Sequence, residues 1–122
     1  MGKRKRWTLL EHIDSPSDPS GLHFDLLLED GLGCRTWRLA QIPVLNGPAL
    51  EAIPLPVHKL DWLEVKEAPV SGGRGNAKQV FSGLFVGYLP IAKDDPICVE
   101  LHGRDLVGTL QIHNKRCKLS VI

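Results

Sequence analysis

Leu22-His23-Phe24-Asp25-Leu26-Leu27-Leu28-Glu29, then Asp30-Gly31, then Cys34-Arg35-Thr36-Trp37-Arg38-Leu39, is the stretch that decides the fold. Side chains on a strand alternate between faces. Phe24, Leu26 and Leu28 therefore form one apolar face that belongs in a core, and His23, Asp25, Leu27 and Glu29 share the other. Asp30-Gly31 is a turn signal, and residues 34–39 return as a second strand. The reading extends outward in the same rhythm. The 12 glycines and 9 prolines recur between short apolar runs. Residues 7–12, 22–29, 34–39, 60–65, 78–81, 84–89, 97–102, 106–113 and 117–122 read as strands. Residues 14–21 and 70–76 read as loops, and residues 49–53 as a single helical turn. The expected fold is all-β: a small closed or partly open antiparallel barrel of about 7–9 strands with little helix. Closure removes exposed edges, which favours a barrel in so small a chain.

At 122 residues the chain is read as one domain, 1–122, with residues 1–6 as a basic tail. Hydrophobic residues are 43% and charged residues 24%, which excludes a disordered class. No apolar run approaches the ~18 residues that cross a bilayer, and the basic N-terminus lacks the apolar stretch of a signal peptide. A soluble, cytoplasmic protein without membrane partners is expected. The three cysteines, Cys34, Cys98 and Cys117, are odd in number and show no CxxC spacing, so they read as free, small hydrophobes. The net charge of +1 excludes nucleic-acid binding by bulk charge, so any such contact must be a local patch.

The chemistry begins with His23 and Asp25. Bases two residues apart on a strand stand about 6.5–7 Å from each other, close enough for an imidazole and a carboxylate to converge on one ion. His12, at the end of the preceding strand, is the third candidate ligand. His58 stands just before another strand. Glu29, on the His23 face, is a candidate to orient a ligand histidine. Arg35 shares a face with Trp37 and is a candidate anion contact, whereas Arg38 points the opposite way. Arg74 lies in Ser71-Gly72-Gly73-Arg74-Gly75, where glycines let backbone amides approach an anion. His102 and His113 read as surface histidines.

Glu11-His12, Leu22-His23-Phe24-Asp25, Leu28-Glu29-Asp30-Gly31 and Arg35-Thr36-Trp37 together resemble the opening signature of the 3′-phosphoesterase family of bacterial DNA ligase D. His58-Lys59-Leu60-Asp61-Trp62, followed by Pro69-Val70-Ser71-Gly72-Gly73-Arg74-Gly75, resembles the family's second catalytic segment. Val99-Glu100-Leu101-His102-Gly103 with Leu106-Val107-Gly108 resembles its closing hairpin. The likeness runs from about residue 7 to the C-terminus and is to the family's short, stand-alone form. It implies metal ligation by His12, His23 and Asp25, and a phosphate or acid–base role for His58. Mn²⁺ is the implied metal, with Zn²⁺ or another divalent ion as the alternative. The implied activity removes a 3′-terminal ribonucleotide or 3′-phosphate in DNA repair. Its partners are DNA or RNA–DNA 3′ ends, with a repair ligase or end-binding protein alongside.

Two arginines of the family pattern are replaced, one by Leu27 and one by Leu50, and a tyrosine by Trp62. Arginine clamps stabilise the charge of phosphoryl transfer, so their loss is expected to matter. Arg74, Arg35 and Trp62 are the residues put forward for phosphate or nucleic-acid contact. An arginine restored at position 27 would raise activity if that side chain reaches the site, and would destabilise the fold if it is packed. The rival readings are a metal- and end-binding module of the same fold without cleavage, and a metal-stabilised protein-interaction domain.

Overall fold

The computed structural model describes residues 4–13, 21–70 and 72–122. The loop expected between the first two strands lies outside these residues from 14 to 20. Nine strands follow in order: β1 (Lys5–Ile13), β2 (Leu22–Asp30), β3 (Gly33–Leu39), β4 (Leu50–Lys59), β5 (Glu67–Pro69), β6 (Asn76–Val86), β7 (Ile97–Gly103), β8 (Val107–His113) and β9 (Arg116–Ser120). All pairings are antiparallel, in the order β1-β2-β3-β4-β9-β8-β7-β6. Pairing of β6 with β1 closes an eight-stranded barrel, and β5 is an extra strand on the outside edge of β6. The expectation of a small all-β barrel is met. Among the described residues no helix is long and apolar enough to cross a membrane.

Alternation fills the barrel. Trp7 and Leu9, Phe24, Leu26 and Leu28, Trp37 and Leu39, Phe85, Val99 and Leu101, Leu110 and Ile112, and Cys117 and Leu119 form one continuous interior cluster. A second, smaller cluster lies on the outer face, where Leu10, Leu27 and Cys34 pack under Leu63, with Leu60 and Trp62 beside them. The sheet is thus covered on both sides along β1–β3, which explains why β2 shows no clean apolar–polar alternation.

Several expected elements change. Residues 60–65, expected as a strand, contain a 3₁₀ turn at Leu60–Leu63, which lays Leu60, Trp62 and Leu63 onto the outer cluster. The helical turn expected at 49–53 is strand: Leu50 and Glu51 pair with Cys117 and Arg116 of β9, and Ile53 and Ala52 pair with Arg38 and Leu39 of β3. Tertiary pairing overrides the local preference there. Residues 78–81 and 84–89 are not two strands; β6 runs unbroken from Asn76 to Val86. Lys5 and Arg6, expected in a tail, open β1 and pair with Phe85 and Leu84. The cysteines are all free, but Cys98 is exposed on β7 rather than packed.

The β8–β9 hairpin turns on Asn114 and Lys115, both in the left-handed region at φ 53° and 60°. Such a two-residue turn matches the twist of its strands, yet a left-handed lysine costs roughly 1–2 kcal/mol. Lys115→Gly is therefore expected to stabilise the barrel by about 0.5–1 kcal/mol after its greater unfolded-state freedom is subtracted, a gain of a few degrees in Tm. Differential scanning calorimetry of the two proteins checks this, and an unchanged or lower Tm contradicts it.

Candidate metal centre

Three outward-facing side chains on β1 and β2 meet at one point. The strand register sets His12 directly opposite His23, and Leu10 opposite Asp25, so the two histidines and the carboxylate occupy adjacent cross-strand positions. His12 and His23 lie edge to face with ring centroids 4.6 Å apart. Asp25 Oδ2 is 3.5 Å from His12 Nδ1, and Asp25 Oδ1 is 3.3 Å from His23 Nε2. One donor atom from each residue lies within 4.8 Å of the others. Donor atoms about 2.0–2.2 Å from a common ion stand roughly 3.0–3.5 Å apart, so the two measured edges have the right length for a shared divalent cation. The structure thus brings together the ligand set expected from the sequence, and His12, His23 and Asp25 form a group that can hold a divalent metal.

The environment orients one of these donors. Nε2 of His12 lies 2.7 Å from the carbonyl oxygen of Arg74. A carbonyl only accepts, so Nε2 carries the proton and Nδ1 of the neutral ring presents its lone pair toward Asp25. This is the arrangement in which a backbone carbonyl orients a metal-binding imidazole. His23 and Asp25 are 2% and 6% exposed. Asp25 Oδ1 is fully buried and accepts no hydrogen bond among the described residues. His23 Nε2 stands 3.3 Å from that oxygen, and a divalent ion between the three residues would compensate the buried carboxylate further.

The orienting carbonyl depends on the glycine-rich loop. Gly72, Gly73 and Gly75 all adopt positive φ, at 73°, 69° and 91°, a conformation that other residues rarely take. The amide of Val70 donates to the carbonyl of Gly75 and closes the loop around Arg74. Arg74 was expected to act through its side chain; the structure adds a backbone role that its residue type does not signal.

Beside the triad is an open cleft of about 600 Å³. His12 and Asp25 line its floor, and His58, Lys59, Asp61, Trp62 and Arg74 stand around it. Leu10, Val57, Val65, Val70 and Ala77 complete the walls. Ala77 is the β6 partner of His12, and its small side chain keeps that flank open. His58 Nδ1 lies 2.9 Å from the carbonyl of Pro56, so Nδ1 carries the proton and Nε2 is left as an acceptor in the neutral ring.

Two expected contributors are engaged elsewhere. Glu29 does share the outward face, but it stands four residues beyond Asp25, roughly 13 Å along the strand. It accepts hydrogen bonds from the amide and guanidinium of Arg6 instead of lining the cleft. Arg35 is cross-strand to Leu28, on the interior side of β3. Its guanidinium stacks over Trp37 and donates to the carbonyls of Pro90 and Lys93, pinning the segment before β7. It does not line the cleft.

Leu27 and Leu50, the positions where the resembled family carries arginines, are also placed. Leu27 is fully buried in the outer cluster. Leu50 pairs with interior-facing Cys117 at the far end of β4 from His58. Neither position opens on the cleft. Arg38 is the guanidinium directly across the sheet from Asp25. That neighbour follows from the hairpin register once the turn is centred on Gly31-Leu32, one residue beyond the Asp30-Gly31 signal. Cys34, also in the outer cluster, stays a neutral thiol: burial first, then the negative charge of Glu29, pushes its pKa up to about 11.

No protein-family model matches the chain, and no curated protein matches it.

Two outcomes follow. Divalent metal should raise Tm by several degrees at a hundredfold excess over Kd, as binding to the folded state alone requires, and Asp25→Asn or His23→Ala should remove that shift. Calorimetric titration with Mn²⁺ and Zn²⁺ checks it; an equal shift in both variants would put the ion elsewhere. Leu27→Arg should lower stability by about 3–5 kcal/mol, because it buries an unpaired charge under the 3₁₀ turn. An unchanged urea midpoint would show that the outer cluster is not sealed.

Proposed function

We propose that this protein is a metal-dependent phosphoesterase that processes 3′ ends of nucleic acid, removing a terminal ribonucleotide or a 3′-phosphate in DNA repair. The observation that carries this reading is that His12 and Asp25 of the His12–His23–Asp25 group line a cleft that also holds His58. Structural metal sites close around four protein ligands, whereas catalytic ones keep a position for water or substrate. A group of three ligands, two of which, His12 and Asp25, line a cleft, fits the second pattern. The resemblance of the two His-containing segments to the ligase D phosphoesterase family supports the reaction class. Mn²⁺ is the metal of choice on that resemblance, and two imidazoles with one carboxylate also suit Zn²⁺ or Fe²⁺.

When bound, the ion would supply polarisation of the phosphate and a water of lowered pKa. The chain's own residues then have separable tasks. His12 Nδ1, His23 Nε2 and Asp25 would hold the ion, and the Arg74 carbonyl fixes the His12 ring. His58, with its acceptor nitrogen set by the Pro56 carbonyl, exchanges the proton with the attacking water or the leaving oxygen. Lys59 and Arg74 bring positive charge to the rim where the phosphate oxygens would lie. They stand in for clamps that positions 27 and 50 do not provide.

The sealing of Leu27 favours a second reading, in which the same site binds ends without cutting them. One experiment separates the two. Incubation with Mn²⁺ and a DNA primer ending in a single 3′ ribonucleotide should shorten the primer by one nucleotide. His58→Ala should slow that reaction by roughly a hundredfold while leaving the metal-induced Tm shift in place. Saturable binding of the primer with no shortening over hours would establish the binding module instead. Binding should weaken with salt along a shallow slope, reflecting only a few phosphate contacts.

A further inference from the structure

Trp62 stands apart from the other two tryptophans. Trp7 and Trp37 are 1% and 5% exposed inside the barrel, whereas Trp62 is partly exposed where the 3₁₀ turn meets the cleft. Its indole packs against the outer cluster of Leu10, Leu27, Cys34 and Leu63, a rigid backing built on the sheet itself. Val57, Val65 and Val70 line the same cleft. Among the described residues, the side-chain hydrogen-bonding groups lining the cleft besides the Trp62 indole are those of His12, Asp25, His58, Lys59, Asp61 and Arg74. Three of these belong to the metal group or stand as its proton carrier, and two are cations suited to phosphate. Asp61 adds one carboxylate, which sets the phosphate toward Arg74 and Lys59 by repulsion.

We infer that Trp62 is a stacking platform for the base of an unpaired terminal nucleotide, so that the site selects single-stranded or frayed ends over blunt duplex ends. The inference rests on the proposed phosphoesterase reading for the position of the phosphate, and on the cleft itself for the base. An aromatic plane backed by a packed cluster accepts the π-face of any base and reads no sequence. The apolar walls offer little to a base edge, so recognition is by stacking rather than by hydrogen bonds. The cleft, about 600 Å³, is within the size range of small-ligand sites and fits one nucleotide, not a base pair with its neighbours. A terminal base must leave its own stack to reach the indole, and an overhang gives up least in doing so.

The partial exposure of Trp62 alone makes the test optical and independent of catalysis. Metal-free protein is titrated with an oligothymidylate, with a blunt hairpin duplex, and with inorganic phosphate, while indole emission is followed. The oligothymidylate should quench saturably, the duplex should bind about tenfold more weakly, and phosphate should leave emission unchanged. Anisotropy of a dye-labelled overhang should show affinity falling roughly five- to a hundredfold in Trp62→Leu and only partly in Trp62→Phe. Thermal melting accompanies both variants, and the phenylalanine form keeps the test open if the leucine form unfolds. Equal affinity of wild type and Trp62→Phe and Trp62→Leu for the overhang, or equal affinity for overhang and duplex, overturns the platform. Quenching with no cleavage of any primer leaves the platform standing and overturns the phosphoesterase. Cleavage at equal rates on frayed and blunt ends, without quenching, does the reverse.

Discussion

Burial of β2 on both faces is the constraint from which the rest of the structure follows. Its inward side, Phe24, Leu26 and Leu28, is locked into the barrel core, and its outward side places Asp25 and Leu27 beneath other parts of the chain. A one-residue slip in register would exchange the faces, driving a histidine and a carboxylate into the barrel and leaving three large apolar residues outside. The interior thus fixes where His23 and Asp25 stand, and the antiparallel pairing to β1 then fixes His12 against them. The candidate metal group is a consequence of core packing, with no loop needed to bring its three side chains together.

The outer cluster connects this group to the cleft. Leu10 and Leu27 are neighbours of Asp25 along the same face, and the 3₁₀ turn covers them through Leu63, Leu60 and Trp62. The turn does two jobs at once. It seals the sheet beside the polar group, which lowers the local dielectric and strengthens every charge interaction there. It also carries Trp62 to the cleft, with His58 and Lys59 arriving on the end of β4 just before it. The Arg6–Glu29 pair ties β1 to β2, and Arg6 also donates to Glu64 just past the turn. These are half-exposed contacts and contribute little stability each. Their effect is positional.

Positions 27 and 50, where the resembled family carries arginines, read differently in this setting. Position 27 lies under the outer cluster and position 50 pairs with an interior residue of β9, so a guanidinium at either place would not meet an anion in the cleft. Positive charge reaches the cleft from elements that follow in sequence: Lys59 from the end of β4 and Arg74 from the glycine-rich loop. Under the proposed reading, a candidate metal group whose nearby cations come from other elements would hold a phosphate less rigidly than paired forks on a strand.

What the residues alone determined is what depends on short-range periodicity. The two-residue alternation in Phe24, Leu26 and Leu28 and the spacing of glycine and proline were enough for the all-β class, and the His-x-Asp pair on one strand face supplied two of the three candidate ligands, with His12 joined to them by the family resemblance. Those features are local, because backbone sterics and strand pleat impose them wherever the segment ends up. What the tertiary structure decided is everything that depends on which segments meet. The strand at β4 and the 3₁₀ turn after it came from pairing with β3 and β9 and from the outer cluster, both of which outweigh weak local preference. Glu29 was taken by Arg6, and Arg35 by the carbonyls of Pro90 and Lys93, partners 23, 55 and 58 residues away in sequence. The hydrogen bond that sets the His12 tautomer comes from a main-chain carbonyl 62 residues away. A carbonyl is common to every residue, so no side chain announces it, and only the closure of the barrel decides which one a histidine will find.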